Sequence, residues 1–207
     1  MGKECFLIKY NDMNLIDRIE ANFQNSIDTK ANTLIVMQNQ IALAAQLMTH
    51  CLLSGNKILS CGNGGSVSLA QHFSSLMLNR YEIERPGLPA ITLTSDTSTL
   101  TSIADNYSYD LIFAKQIQAL GQNEDILLTL STTTHSNNIQ QAINVAHDRG
   151  LHVISLTGNI TTESQPELKT EDIEIRIPSD SMHRIQETQL LVINCLCDLI
   201  DQQLMGQ

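Results

Sequence analysis

Five short apolar runs, separated mostly by stretches of helical periodicity, constrain this chain more than any other feature. The runs fall at 58–61, 90–94, 125–130, 152–157 and 173–177. Helical spacing is read over 66–79, 109–120 and 137–149, and over a long final segment from about 181 to 204. Strands separated by helices are joined by crossovers, so they pair in parallel and both faces of the sheet are covered. The pattern predicts an α/β protein: a three-layer α/β/α sandwich on a five-stranded parallel sheet. Ahead of it, Leu15, Ile16, Ile19, Phe23 and Ile27 recur at helical spacing, and a break is expected at 26–30. A second helix is expected over 33–53, stopped by Ser54-Gly55. The stretch 159–172 is polar, contains Pro166 and reads as a surface loop.

Sheets of this kind bind ligands at the carboxyl ends of their strands. Three loops expected there are rich in hydroxyls and glycine: 62–66, 94–98 and 131–136. The most informative is Cys61-Gly62-Asn63-Gly64-Gly65-Ser66, which follows an apolar strand and opens a helix. Glycines let backbone approach an anion, and the first N–H groups of a helix have no partner of their own. That is a recipe for holding a phosphate, although a plain tight turn uses the same glycines. The spacing fits neither the Walker loop nor the dinucleotide fingerprint.

The 207 residues suit one domain over 13–207, with helices at 13–54 and the α/β core at 55–207. Residues 1–12 are either a loose extension, a mis-called start before Met13, or a short ordered arm. A net charge of −10, from 12 basic and 22 acidic residues, disfavours direct nucleic-acid binding. No apolar run of about 18 residues is present, so no membrane span is expected. The first residues, with an early acid, do not resemble a signal peptide. Five cysteines, an odd count in mostly apolar surroundings, point to a reducing cytoplasm. Cys195-Leu196-Cys197 has the wrong spacing for usual zinc pairs and reads as core. The final helix is apolar around much of its circumference, through Ile185, Leu190, Leu191, Val192, Ile193, Leu196, Leu199 and Ile200, which points to an oligomer.

With these elements placed, the chain resembles the sugar isomerase (SIS) domain family, a flavodoxin-like α/β fold. The resemblance rests on 60–66, 84–91, 130–132, 156–158 and 184–187, in order and spacing. It is closest to the phosphoheptose isomerase superfamily, whose enzymes convert sedoheptulose 7-phosphate to glycero-manno-heptose 7-phosphate. The resemblance implies a homotetramer with sites at subunit interfaces and a sugar-phosphate ligand. It places the ligand at Asn63, Gly64, Gly65, Ser66, Asp96, Ser131, Thr132, Thr133, Ser136 and Gln186. Thr134 and His135 stand where the enzymes carry Gly-Asn.

The resemblance weakens at the catalytic positions. The isomerases hold zinc with a His and a Glu four residues later on the helix after the glycine turn. They add a Gln, and a His eight residues later, on the final helix. That Glu resembles a general base and that last His a general acid for moving a proton between C1 and C2 of the sugar. Here the first His is His72 and the Gln is Gln186, but the Glu position is Leu76 and the last His position is Asn194. No catalytic residue and no cofactor are therefore assigned; His72 and Gln186 are a vestige of the metal set, with zinc expected only if the chain is an isomerase.

These losses match a second branch of the fold, the DnaA initiator-associating (DiaA) proteins, tetrameric scaffolds that bind the replication initiator DnaA. Segments 70–73, 79–80, 84–86, 176–179 and 192–201 resemble that branch. The expectation is a non-catalytic tetramer that partners DnaA and retains a sugar-phosphate pocket. The alternative is a phosphoheptose isomerase in lipopolysaccharide heptose synthesis. A third is a sugar-phosphate sensor that binds without turnover.

Overall fold

The computed structural model describes residues 14–133, 136–159 and 168–206. The chain runs α1 (Leu15–Leu53), β1 (Ile58–Gly62), α2 (Gly65–Leu78), β2 (Ala90–Thr92), α3 (Thr97–Asn106), a 3-10 turn (Tyr109–Leu111) and α4 (Ala114–Leu120). It continues through β3 (Ile126–Leu130), α5 (Asn137–Asp148), β4 (His152–Gly158), β5 (Ile173–Ile177) and α6 (Met182–Met205). The sheet order is β2-β1-β3-β4-β5, with every neighbouring pair parallel. The expected three-layer α/β/α sandwich on a five-stranded sheet is therefore what forms.

Strand alternation sorts the core into two faces. Ile58, Ile126, Leu128, Leu130, Ile154 and Leu156 pack under α1, α2 and α6, together with Phe73, Met77, Val192 and Leu196. Leu59, Cys61, Leu127 and Val153 point the other way, against Phe113, Ile117 and the apolar stripe of α5 at Ile139, Ala142, Ile143 and Ala146. Register then fixes the site: Gly62 at the end of β1 pairs with Leu130 at the end of β3. The two phosphate-type loops leave the sheet side by side.

The N-terminal region differs from expectation. Residues 15–53 form one helix of 39 residues, with no break at 26–30. No glycine or proline interrupts the segment, and its polar side chains are used on the helix surface. Thr29 and Thr33 hydroxyls donate to the carbonyls four residues back, each at 2.8 Å. Ser26 donates to Glu187 of α6 at 2.8 Å and accepts from Lys30 at 2.8 Å. The polar cluster marks a contact between helices.

The helix expected over 109–120 is also corrected. A separate helix, α3, precedes it, and the later stretch is a 3-10 turn followed by α4. The sequence of α3, Thr-Ser-Thr-Leu-Thr-Ser, is poor in helix formers. It is started by Asp96, whose carboxylate accepts from the Thr99 amide at 3.1 Å and the Thr99 hydroxyl at 2.6 Å. Thr101 turns its hydroxyl back to the Thr97 carbonyl at 2.8 Å.

At the far ends of α2 and α6, Arg85 and Asp201 form a buried ion pair at 2.5 Å. The remaining guanidinium N–H groups donate to the carbonyls of Met77 at 2.9 Å, Pro86 at 3.1 Å and Leu76 at 3.1 Å. No helix among the described residues is long and apolar enough to cross a membrane.

Candidate functional site

β1 delivers the glycine turn to the top of the sheet. Gly64 caps α2 at a φ of 55°, a left-handed conformation that a side chain disfavours. The turn folds on itself, with the Ser66 amide donating to the Asn63 carbonyl at 3.0 Å and the Val67 amide to Gly64 at 3.1 Å. Gly64 and Gly65 are exposed while Ser66 is buried. The result is an accessible helix N-terminus carrying glycine, the geometry that receives an anion.

The second loop is fastened to the first by amides and a hydroxyl. Asn63 Nδ2 donates to Ser136 Oγ and to Asn138 Oδ1, both at 2.8 Å. Asn138 Nδ2 returns a bond to Asn63 Oδ1 at 2.9 Å, and Tyr109 donates to that same oxygen at 3.1 Å. Ser136 Oγ also donates to Asn138 Oδ1 at 2.8 Å. Along the loop, the Thr133 amide donates to Ser131 Oγ at 3.2 Å. Ser131, Thr133 and Ser136 line one narrow cleft, with Thr132 buried beside them. From beneath, Gln189 Nε2 donates to the Ser131 carbonyl at 2.7 Å and the Leu156 carbonyl at 3.1 Å, holding the ends of β3 and β4 together.

Gln186 of α6 reaches the glycine turn. Its side-chain amide lies where a Cβ at position 65 would sit. Along α2, Gly65, His72 and Leu76 fall within about 40° of one another at 100° per residue, so they share one stripe. His72 is exposed on that stripe; Leu76 is half-buried and packs against the core. Asn194 is half-buried on α6.

Of the ten residues expected at the ligand, Asn63, Gly64, Gly65, Ser66, Ser131, Thr132, Thr133, Ser136 and Gln186 cluster around this pair of loops. Asp96 is engaged elsewhere, as the exposed cap of α3; the Thr99 hydroxyl and amide that bind its carboxylate hold its pKa below the ordinary value. Thr134 and His135 lie outside the described residues, as do residues 1–12. Asn138, Tyr109 and Gln189 were not expected. A buried Asn in the first turn of α5, two residues past the cap Ser136, is the one signal that could flag such a tie.

Of two further cavities, one borders the site and the other lies apart from it. One of about 290 Å³ lies between the glycine turn, α3 and the 3-10 turn, lined by Val67, Leu100, Ala104, Ile112 and Phe113 with Tyr109 at its polar edge. The other, of about 470 Å³, is polar and lies between α1 and the start of α6.

The donor set does not fit zinc. Structural and catalytic zinc sites take three or four N, S or O ligands, and two of the four implied positions carry Leu76 and a neutral Asn194. Among the described residues no cluster of three or more His, Cys, Asp and Glu side chains could hold a metal. The cysteines serve packing: burial, with Asp201 nearby, pushes Cys197 up to about 12, and burial, with Asp125 nearby, pushes Cys51 up to about 12. Thiols held protonated in this way are poor ligands.

A strand-anchored glycine turn, a hydroxyl loop tied to it and an amide set against the turn make the geometry of an anion-receiving site on a parallel sheet. The SIS domain signature matches residues 22–158, and the chain belongs to the SIS domain family, within the phosphoheptose isomerase superfamily. It is 55% identical over 192 residues to the phosphoheptose isomerase of Coxiella burnetii, covering 93% of this chain and 96% of that protein. The phosphoheptose isomerase of Chromohalobacter salexigens is 56% identical over 194 residues, with 94% and 98% covered. The solved structure of a phosphoheptose isomerase from Francisella tularensis superposes with a TM-score of 0.88 at 47% identity, covering 92% of this chain and all of that one.

These relatives correct the functional expectation. The scaffold role, with DnaA as partner and replication initiation as process, is overturned: relatives at about 55% identity over nearly the whole chain are phosphoheptose isomerases. Leu76 and Asn194 are two positions set against similarity along nearly the full length.

Proposed function

We propose that the chain is a phosphoheptose isomerase, interconverting sedoheptulose 7-phosphate and D-glycero-D-manno-heptose 7-phosphate. The observation that carries this reading is the tie between the glycine turn and the 131–136 loop through Asn63, Ser136 and Asn138. It holds the hydroxyl loop beside the glycine backbone and the N-terminus of α2. The phosphate binds there through Ser66, Ser131, Thr132, Thr133 and Ser136, and Gln186 orients the sugar beside Gly65. The reaction moves a proton from C1 to C2 through an enediol, with no net oxidation. His72 is the imidazole on the α2 stripe and the group that carries that proton.

The chain works in the cytoplasm, as its free thiols suggest, and as a homotetramer. The exposed apolar residues Leu15, Ile16, Ile19, Phe23 and Ile27 of α1 support assembly. The test is turnover of sedoheptulose 7-phosphate by the purified protein. Conversion that falls about 10²–10⁴-fold in His72→Gln supports the reading. Binding of the sugar phosphate with no conversion would replace it by ligand binding without turnover, a second reading that Leu76 and Asn194 favour.

A further inference from the structure

We propose that this chain handles its sugar phosphate without a divalent metal, and that Leu76 and Asn194 are the two residues responsible. The inference rests on the sugar-phosphate reading above. A zinc ion needs at least three protein donors, and a negatively charged one offsets part of its charge. His72 and Gln186 supply an imidazole and a neutral amide. Leu76 has no lone pair to offer, and its side chain packs against the apolar cluster that α2 shares with α6.

Neighbouring groups that could repair the set are committed elsewhere. Glu187 lies about 100° around the helix from Gln186, where it accepts from Ser26 at 2.8 Å and pairs with Arg184 at 2.9 Å. His183 lines the polar cavity against α1, with Arg18, Asn22 and Asp28. Cys195 lies about 100° around the helix from Asn194. The far end of the α2–α6 seam is closed by the Arg85–Asp201 pair, whose guanidinium also holds the Leu76 carbonyl. Apolar packing thus occupies the seam at the position where the resemblance calls for a carboxylate, and the ion pair closes its far end.

The experiment measures zinc content of the full chain by mass spectrometry after dialysis against excess zinc and then buffer. Alongside it, the thermal shift caused by sedoheptulose 7-phosphate is recorded with and without a chelator. The expected result is substoichiometric zinc and a thermal shift unchanged by the chelator in the unaltered chain. In Leu76→Glu with Asn194→His, stoichiometric zinc and a chelator-sensitive shift are expected. Asn194→His alone, which spares the packed Leu76, is expected to give intermediate zinc retention if the double variant fails to fold. Stoichiometric zinc in the unaltered chain overturns the proposal. Folded variants that still take up none overturn the assignment to these two residues. A chain that gives no thermal shift with the sugar phosphate at all, whatever its zinc content, overturns the sugar-phosphate reading instead.

Discussion

The side-chain amide of Gln186 fills the space that a side chain at position 65 would require. The contact joins the start of α2 to α6 beside the glycine turn, so the two helices meet where the proposed function places the sugar phosphate.

Gly65→Ala tests this contact. The clash falls on the flexible end of Gln186, which can swing aside, so the fold loses no more than the low end of the roughly 1–3 kcal/mol that overpacking costs. The displaced amide loses its bond to the ligand, worth about 0.5–1.5 kcal/mol. Thermal melts should barely move, while calorimetry with sedoheptulose 7-phosphate shows up to about a tenfold weaker Kd. A large drop in melting temperature with unchanged affinity would contradict the assignment.

Asn138→Ala should loosen the site from its other side. Asn138 is 1% exposed and exchanges hydrogen bonds with Asn63. Truncation removes two of the four bonds of the Asn63 amide, which keeps Ser136 and Tyr109, at a cost of about 0.5–1.5 kcal/mol for each bond lost. A lower denaturation midpoint accompanied by weaker inorganic phosphate binding is the expected pair of results. Loss of stability alone would place the tie in the fold and not in the site.

Asp201→Ala leaves the Arg85 guanidinium buried without its carboxylate. Breaking a buried pair from one side costs about 3–5 kcal/mol, read as the shift in urea midpoint at constant slope. Replacing both residues with apolar ones should recover most of the loss, because the uncompensated charge is then absent.

The α3 cap gives a pH dependence of known sign. Asp96 has its pKa lowered from 3.8, first by the Thr99 hydroxyl and then by the Thr99 amide. Its contribution is therefore complete above that ordinary value and is lost as pH falls through the depressed folded value. The protection factor of the Thr99 amide, its exchange rate relative to the intrinsic rate at each pH, should fall below about pH 4. In Asp96→Ala that protection should be missing already at neutral pH and should not change across the acid range.

The sheet was legible because apolar runs and helical spacing alternate strongly, and all five strands form within two residues of their expected bounds. The glycine turn was legible for the same reason, since it falls between a strand and a helix. α3 was not, because its stability comes from Asp96 and from hydroxyls bonding to backbone, which no periodicity reveals. Ser26–Lys30 misled in the opposite sense: polar residues that suggest a break in isolation are the ones α1 turns toward α6. Asn138 and Gln189 escaped notice because each acts across more than thirty residues of sequence, on Asn63 and on the ends of two strands. The role was not legible from Leu76 and Asn194, because two side chains differ from the enzymes' pattern while similarity runs along nearly the whole chain.

α1 is about 58 Å long at 1.5 Å per residue, well beyond what is needed to cover one face of the sheet. Its Ser26 holds Glu187, the residue directly after Gln186, and the carbonyl of Asn22 one turn away holds Arg184. The longest helix is thus fastened, on one side, to the helix that carries Gln186, while its other side leaves Leu15, Ile19, Phe23 and Ile27 uncovered. A neighbour seated on that uncovered side would touch the same helix that holds the Gln186-bearing turn of α6 in place.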